Sequence, residues 1–201
     1  MAPPTPPPPP GLRERKKLKT RAAIRGAAHR LIAAQGWEAT TVEQIAREAD
    51  VSPSTVFRYF PAKEDIVLAD EYATLIADAL RLRPADEPPL QSLRVVVLAA
   101  VRAVLAAEEA EVAQRARLMT EVPSVRARVA EATARASRVL AAALAERAGR
   151  APDDLEARVF AAAVLGALTE TALCWAEDGR RQDLPALLTR ALDRLGAGLP
   201  L

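Results

Sequence analysis

The chain has 201 residues, half of them apolar but only seven aromatic, and carries a formal net charge of +2. Ala, Leu and Val supply most of the apolar surface, which favours helices over sheets. A single cysteine excludes an internal disulfide, and one Cys with one His leaves no ligand set for zinc.

The charge is uneven along the chain. Residues 1–63 hold eleven basic and five acidic side chains, a balance of +6, and the remainder holds seventeen and twenty-one, a balance of −4. A basic front on a mildly acidic body suits contact with a polyanion such as nucleic acid.

Met1 to Gly11 is a proline tract that lacks backbone donors and can bury little apolar surface. It is expected to be disordered or polyproline-like, either an inert tail or a docking ligand for a proline-reading partner. It has no apolar core segment of the signal-peptide kind, so a cytoplasmic location is expected. No run of bilayer-spanning length is expected, and no membrane partner.

From Leu12 to Gln35 apolar residues recur at helical spacing (Ile24, Ala27, Ala28, Leu31, Ile32), and Gly36 supplies a stop. Arg13, Arg15, Lys16, Lys17 and Lys19 crowd its entry. Cations at a helix N-terminus oppose the dipole, so contact with a polyanion explains them better than local stability does. By composition the chain divides into a disordered, proline-rich and basic arm over residues 1–18, a basic helical segment over 19–66 and a mildly acidic helical remainder over 67–201.

A second helix opens at "TTVEQIAREA". Thr41 and Gln44 have capping-box spacing, and Val42, Ile45, Ala46 and Ala49 form one apolar stripe. "ADVS" breaks that helix, with Asp50 where a left-handed turn residue sits, Ser52 as the next N-cap and Pro53 at the first helical position. Two short helices joined by so few residues read as a helix-turn-helix.

The third helix, "SPSTVFRYF", splits into two faces at about 100° per residue. Pro53, Val56, Phe57 and Phe60 fall on one side and are expected to pack into a small three-helix core. Ser54, Thr55, Arg58 and Tyr59 fall on the other, with groups suited to base edges and phosphates. After Pro61, "AKEDIVLADEYATLIADALRL" predicts one long helix with Lys63 in its first turn.

Further helices are predicted beyond the linker "RPADEPP". They run from about Leu90 to Glu108, onward to about Met119, from Pro123 to about Arg150, from Asp153 to Asp178 and from Leu184 to Leu195. Val125, Val129, Ala132, Ala136, Val139, Leu140 and Leu144 are expected on the inner side of the third of these stretches, Pro123 to about Arg150.

From about Lys19 to Val67 the sequence resembles the TetR family of one-component transcription regulators. It carries in order the first helix, a Gly-aromatic turn, the Thr-Thr cap, the helix-turn-helix and a Phe-x-x-Lys-Glu junction. The resemblance implies an all-α homodimer, in which an N-terminal three-helix DNA-binding module with a helix-turn-helix (residues 19–66) precedes a C-terminal helical bundle for ligand binding and dimerisation (residues 67–201). It implies a repressor that reads a palindromic operator of double-stranded DNA and is released when a small-molecule effector swings the helix beginning near Lys63.

Carried over by position, Thr41 presents its cap to a phosphate, Ser52, Pro53, Ser54 and Thr55 enter the major groove, Tyr59 lies against the backbone and Lys63 pairs with a phosphate. Arg13, Arg15, Lys16 and Lys17 are expected at an adjacent minor groove or its phosphates. The sequence departs from the family at Asp50, where Gly is common, at Phe57, where a phosphate-binding Tyr is common, and at Arg58, often His. Lys or Arg is also common at Pro53. Arg58 is expected to compensate for the missing tyrosine hydroxyl.

In the C-terminal part, "FAAAVLGALTETALCWAEDG" is rich in small residues and suits close helix approach, with the last helix, in a four-helix dimer interface. Glu170 either pairs with an arginine across that interface or contacts ligand, and Trp175 either lines a pocket or fills a corner. Cys174 reads as a small buried hydrophobe or a ligand contact. Tyr72, Arg115 and Met119 are further candidate pocket residues. The pocket is expected to be mostly apolar, leaving long apolar molecules, acyl thioesters and aromatic antibiotics open.

No pair of carboxylates, Cys–His combination or glycine-rich phosphate loop stands at useful spacing, so no catalytic residue, metal or cofactor is expected. The alternatives to a ligand-responsive regulator are an architectural, ligand-independent DNA-binding protein and, further off, a small helical enzyme or carrier.

Overall fold

A computed structural model describes residues 12–68 and 71–199. The proline tract therefore lies outside the described residues. Ten helices and no strand occur among those described, and the chain divides after Val67 into two compact units.

The N-terminal unit comprises α1 (Leu12–Gln35), α2 (Val42–Glu48), α3 (Pro53–Tyr59) and α4 (Lys63–Val67). Its core is Ile24, Ala27, Ala28, Ile32, Trp37, Ile45, Ala46, Val56, Phe60 and Ile66, all buried. Each turn is built by local chemistry. Gly36 ends α1 with a φ of 84°, in the left-handed region that glycine enters without a Cβ penalty. Thr41 Oγ1 accepts from the Gln44 backbone N–H at 3.2 Å, and the Thr41 N–H donates to Gln44 Oε1 at 2.9 Å, completing the capping box. Asp50 has a φ of 54°, and Ser52 Oγ accepts from the Thr55 N–H at 3.1 Å with Pro53 opening α3.

Three expectations for this stretch are corrected. Residues 12–18 are not part of a disordered arm but the first turns of α1, so Arg13, Arg15, Lys16 and Lys17 project from a helix. The helix expected to run on from Pro61 is interrupted at Leu68, so that α4 and α5 are separate elements. In α3, Phe57 is 50% exposed whereas Val56 and Phe60 are each 1% exposed. A helix of seven residues buries only the narrow stripe of positions 56 and 60, not the wider arc that also takes in 53 and 57.

The C-terminal unit comprises α5 (Glu71–Arg81), α6 (Pro89–Ala107), α7 (Glu109–Glu121), α8 (Pro123–Arg147), α9 (Leu155–Glu177) and α10 (Leu184–Gly196). The α8–α9 pair forms its centre. One core cluster joins Ala77, Leu80 and Leu93 to Leu140, Ala141, Ala143, Leu144, Ala145, Ala157, Ala161, Val164 and Leu192. Its many alanines let helix backbones approach closely. A second cluster gathers Leu98, Val112, Ala116, Trp175, Leu184 and Leu188. Val139, expected inside, is partly exposed at 37%.

The α5–α6 linker is fixed by a polar cluster. The Arg147 guanidinium donates to the carbonyls of Leu80 (3.1 Å), Arg83 (2.7 Å) and Pro84 (2.8 Å) and to Ser92 Oγ (3.2 Å). It thus ties the C-terminal end of α5 and the turn that follows it to α8. Glu87 accepts from Arg83 and from the buried Ser92 hydroxyl, and these bonds hold its carboxyl down at about 2.

Two helices also correct the expectation on apolar run length. Pro89–Ala107 and Leu155–Glu177 are both long and apolar enough to cross a bilayer by length and composition. In this fold each places one side in the core of the C-terminal unit, through Leu93, Val96, Val97 and Leu98 and through Ala157, Ala161, Val164 and Trp175.

Candidate nucleic-acid interface and effector cavity

The outer surface of α3 forms the first candidate site. Four-residue spacing lays three parallel stripes along this short helix. Val56 and Phe60 are buried, Pro53 and Phe57 are exposed beside them, and Ser54 and Arg58 are exposed beyond. Thr55 and Tyr59, expected fully outside, are only half-exposed. The outward face is therefore turned by about one residue from the predicted one, with Phe57 rather than Tyr59 as its prominent ring.

Ser52 Oγ lies 2.9 Å from both Ser54 Oγ and Thr55 Oγ1, so the three hydroxyls form one cluster at the start of α3. The Arg58 guanidinium stacks 5.4 Å from the Tyr59 ring, which orients it on the exposed side. Arg21 reaches across from α1, lies 4.5 Å over the Phe60 ring and donates to the Tyr59 carbonyl at 3.2 Å. That contact closes the C-terminal end of α3 and sets its angle on the core.

Lys63 is engaged within the N-terminal unit. Its Nζ donates to the Trp37 carbonyl at 2.6 Å and sits 4.0 Å from the Trp37 ring, and burial lowers its pKa. It fastens the start of α4 to the turn after α1. Thr41 is exposed at the N-cap of α2, with its hydroxyl engaged in the capping box. Arg13, Arg15, Lys16 and Lys17 are exposed on the first two turns of α1.

The second candidate site is a cavity of about 510 Å³ in the C-terminal unit. Tyr72 and Ile76 of α5, Arg115 and Met119 of α7, Val129, Ala132 and Ala136 of α8, and Leu165, Leu168 and Ala172 of α9 supply its wall. Its volume and apolar wall suit a small organic ligand. Polar groups are few. Tyr72 donates its hydroxyl to Glu108 Oε2 at 2.7 Å, the Arg115 guanidinium lies 5.9 Å from the Tyr72 ring, and Thr133 and Thr169 hydroxyls meet at 3.2 Å across α8 and α9. Arg135 completes the polar set.

The cavity thus brings together Tyr72, Arg115 and Met119, and leaves out the other three expected residues. Trp175 is buried in the second core cluster and donates its indole N–H to the Gln182 carbonyl at 2.9 Å, so it fills a corner. Glu170 and Cys174 are exposed on α9. The reading of Cys174 as a buried hydrophobe is corrected. Partial desolvation, then the Glu170 carboxylate, raise the pKa of its thiol, which disfavours a reactive thiolate. Sequence reasoning missed Thr133, Arg135 and Leu168. Only the crossing of α8 and α9 places them together, and periodicity within one helix carries no trace of it.

A third feature lies on the outer side of the α8–α9 pair. Leu155 is 67% and Val159 58% exposed, and Ala162, Ala163 and Gly166 continue that face along α9 beside Ala130, Ala134 and Arg138 of α8. In α10, by contrast, Leu184, Leu188 and Leu192 are turned into the core.

Comparison with known proteins gives these sites a context. The family of bacterial regulatory proteins, tetR family, matches residues 24–69, and the family described as MftR C-terminal domain matches residues 87–200. The HTH-type transcriptional regulator TcmR of Streptomyces glaucescens is 46% identical over 98 residues, 48% of this chain and 42% of the relative, so the match spans less than half of that protein's length. MftR of Mycobacterium tuberculosis, a candidate mycofactocin biosynthesis transcriptional regulator, is 29% identical over 92% of this chain and 93% of its own. Among solved structures, FadR of Thermus thermophilus is similar at a TM-score of 0.56 and 24% identity, covering 90% of this chain and 95% of that one. The C-terminal match takes in the α7, α8 and α9 parts of the cavity wall, and on the two family matches together the chain belongs to the TetR family of bacterial transcriptional regulators, which are DNA-binding proteins rather than enzymes.

Proposed function

We propose that the chain acts in the cytoplasm as a homodimeric repressor, binding a palindromic operator through α3 and releasing it when an acyl thioester or similar amphipathic molecule occupies the cavity. The observation that carries the effector part is the composition of the cavity: an apolar wall from four helices with the guanidinium groups of Arg115 and Arg135 on it. Such a wall suits an apolar chain ending in an anionic group. The T. thermophilus FadR structure, which holds lauroyl-CoA, supports that class of ligand for this architecture.

The dimer reading rests on the exposed α9 face. Apolar and small residues running from Leu155 to Gly166, next to alanines of α8, form a surface that monomers rarely leave in water. On this reading α8 and α9 pair with their copies. Ser54, Thr55 and Arg58 reach base edges, Ser52 and Pro53 lie at the groove entrance, and Thr41, Tyr59, Lys63 and the α1 cations Arg13, Arg15, Lys16 and Lys17 face phosphates.

The test starts with selection of a binding duplex from a random library by the full chain, followed by titration in fluorescence anisotropy. A palindromic consensus is expected, and lauroyl-CoA but not free coenzyme A weakens binding at least about tenfold, within the usual range for coupled sites. Ala136→Trp, which fills the cavity, keeps DNA binding and loses the response. A non-palindromic site, or binding indifferent to acyl thioesters, overturns the corresponding part of the reading.

A further inference from the structure

We infer that Phe57 reads thymine: its ring seats against the C5-methyl group of a thymine in each half-site, making it a specificity-determining residue of α3. The inference rests on the DNA-binding reading above and adds a base identity to it.

The core of the N-terminal unit closes without Phe57. Val56 and Phe60 on the same helix are each 1% exposed, and Phe57 between them is 50% exposed. A half-exposed phenylalanine on a helix of only seven residues gains less from folding than its buried neighbours, since half of its area stays in water. Its neighbours on the surface are the exposed Pro53, four residues before it, and the polar pair Ser54 and Arg58. The outward surface is therefore an apolar stripe flanked by a polar one.

A major groove offers one apolar feature among its base edges, the thymine methyl group, against the acceptors and donors of the other positions. A Pro53–Phe57 stripe has no hydrogen bond to give to any of those polar edges. It suits the methyl, and the adjacent Ser54 and Arg58 suit the polar edges beside it. Without a hydroxyl, the ring cannot make the phosphate bond that a tyrosine would make here. Its contribution to DNA contact is therefore apolar, directed at a base rather than at the backbone.

The test uses the full chain and the duplex selected from a random library, with deoxyuridine replacing thymine one position at a time. Uracil keeps pairing and the O4 acceptor and removes only the methyl group. At one thymine per half-site, the swap is expected to weaken wild-type binding about fourfold, the worth of one buried CH₂ group. Phe57→Ala is expected to bind the normal operator more weakly by at least that factor, and to be blind to the swap at that position. Phe57→Tyr, which keeps the ring, is expected to remain sensitive. Thermal unfolding of Phe57→Ala is expected to match wild type, because the residue lies outside the core.

Wild-type binding that is selective yet unchanged by uracil at every position overturns this inference and leaves the DNA-binding reading standing. Sensitivity that survives in Phe57→Ala overturns it too. Absence of any sequence-selective binding overturns both.

Discussion

The two units of this chain hold their functional surfaces in opposite ways. In the N-terminal unit the candidate site is the convex outside of a single seven-residue helix, positioned by caps and turns within a few residues of it. In the C-terminal unit the site is concave, and its wall comes from α5, α7, α8 and α9, residues about a hundred positions apart in the chain. The first kind of site tolerates little error in one helix's orientation. The second tolerates loss of any single wall residue but depends on how several helices cross. Local chemistry governs the one and tertiary packing the other.

The sharpest way to break that comparison is Phe60→Ala. Its side chain is fully buried in the small N-terminal core, so truncation is expected to cost about 3–5 kcal/mol of that unit's stability. Followed by denaturant unfolding, it contrasts with Phe57→Ala, three residues earlier and expected to be near neutral. Equal losses in the two variants would mean that α3 is rotated from the orientation described.

Next in size is Arg147→Leu. It removes the donor to the carbonyls of Leu80, Arg83, Pro84 and Glu87 and to Ser92 Oγ in the C-terminal unit. A loss of about 2–3 kcal/mol is expected, since several charge-assisted bonds made by one guanidinium are removed together. Urea unfolding monitored by circular dichroism measures it, and a loss under about 0.5 kcal/mol, the level of an ordinary surface substitution, would show that the linker needs no clamp.

The smallest effect concerns pH. Glu87 has a folded pKa of about 2 against an ordinary 4.5, chiefly through its hydrogen bond from Arg83 and then from Ser92. A depressed acid pKa gives stability that is present above about 4.5 and is lost as pH falls toward 2. Glu87→Gln is therefore expected to be less stable than wild type at pH 6, with the gap narrowing below pH 4.5. A gap that stays constant down to pH 2.5 would assign the effect to packing instead.

How much of this was legible beforehand differs by unit. The capping box of Thr41 and Gln44, the left-handed Asp50 and the Ser52–Pro53 start of α3 were all readable, because each is satisfied by atoms a few residues away. The same helix shows where that reading stopped. Angular placement put Phe57 inside with Phe60, but periodicity gives only relative angles. How wide a stripe the core accepts depends on the neighbouring helices. Lys63 is a second example: its place in a first turn was visible, and its engagement with Trp37, twenty-six residues earlier, was not.

In the C-terminal unit the helices themselves were readable from apolar spacing, and Pro89, Pro123 and Pro185 sit in their first turns. Three of six proposed pocket residues line the cavity, and the three that do not, Glu170, Cys174 and Trp175, all interrupt the aliphatic pattern of α9. A residue can break that pattern by facing a cavity, the core or water. Trp175 took the second course and Glu170 and Cys174 the third.

By itself the sequence determined the all-helical class, the order of the helices and the chemistry of the turns before α2 and α3, since these depend on propensity and on hydrogen bonds over short separations. Only the tertiary structure decided the outward turn of Phe57, the membership of the cavity wall and the exposed apolar face of α9. Each of those is set by which surfaces of distant helices meet, a long-range outcome of burying apolar area that no single stretch of residues encodes.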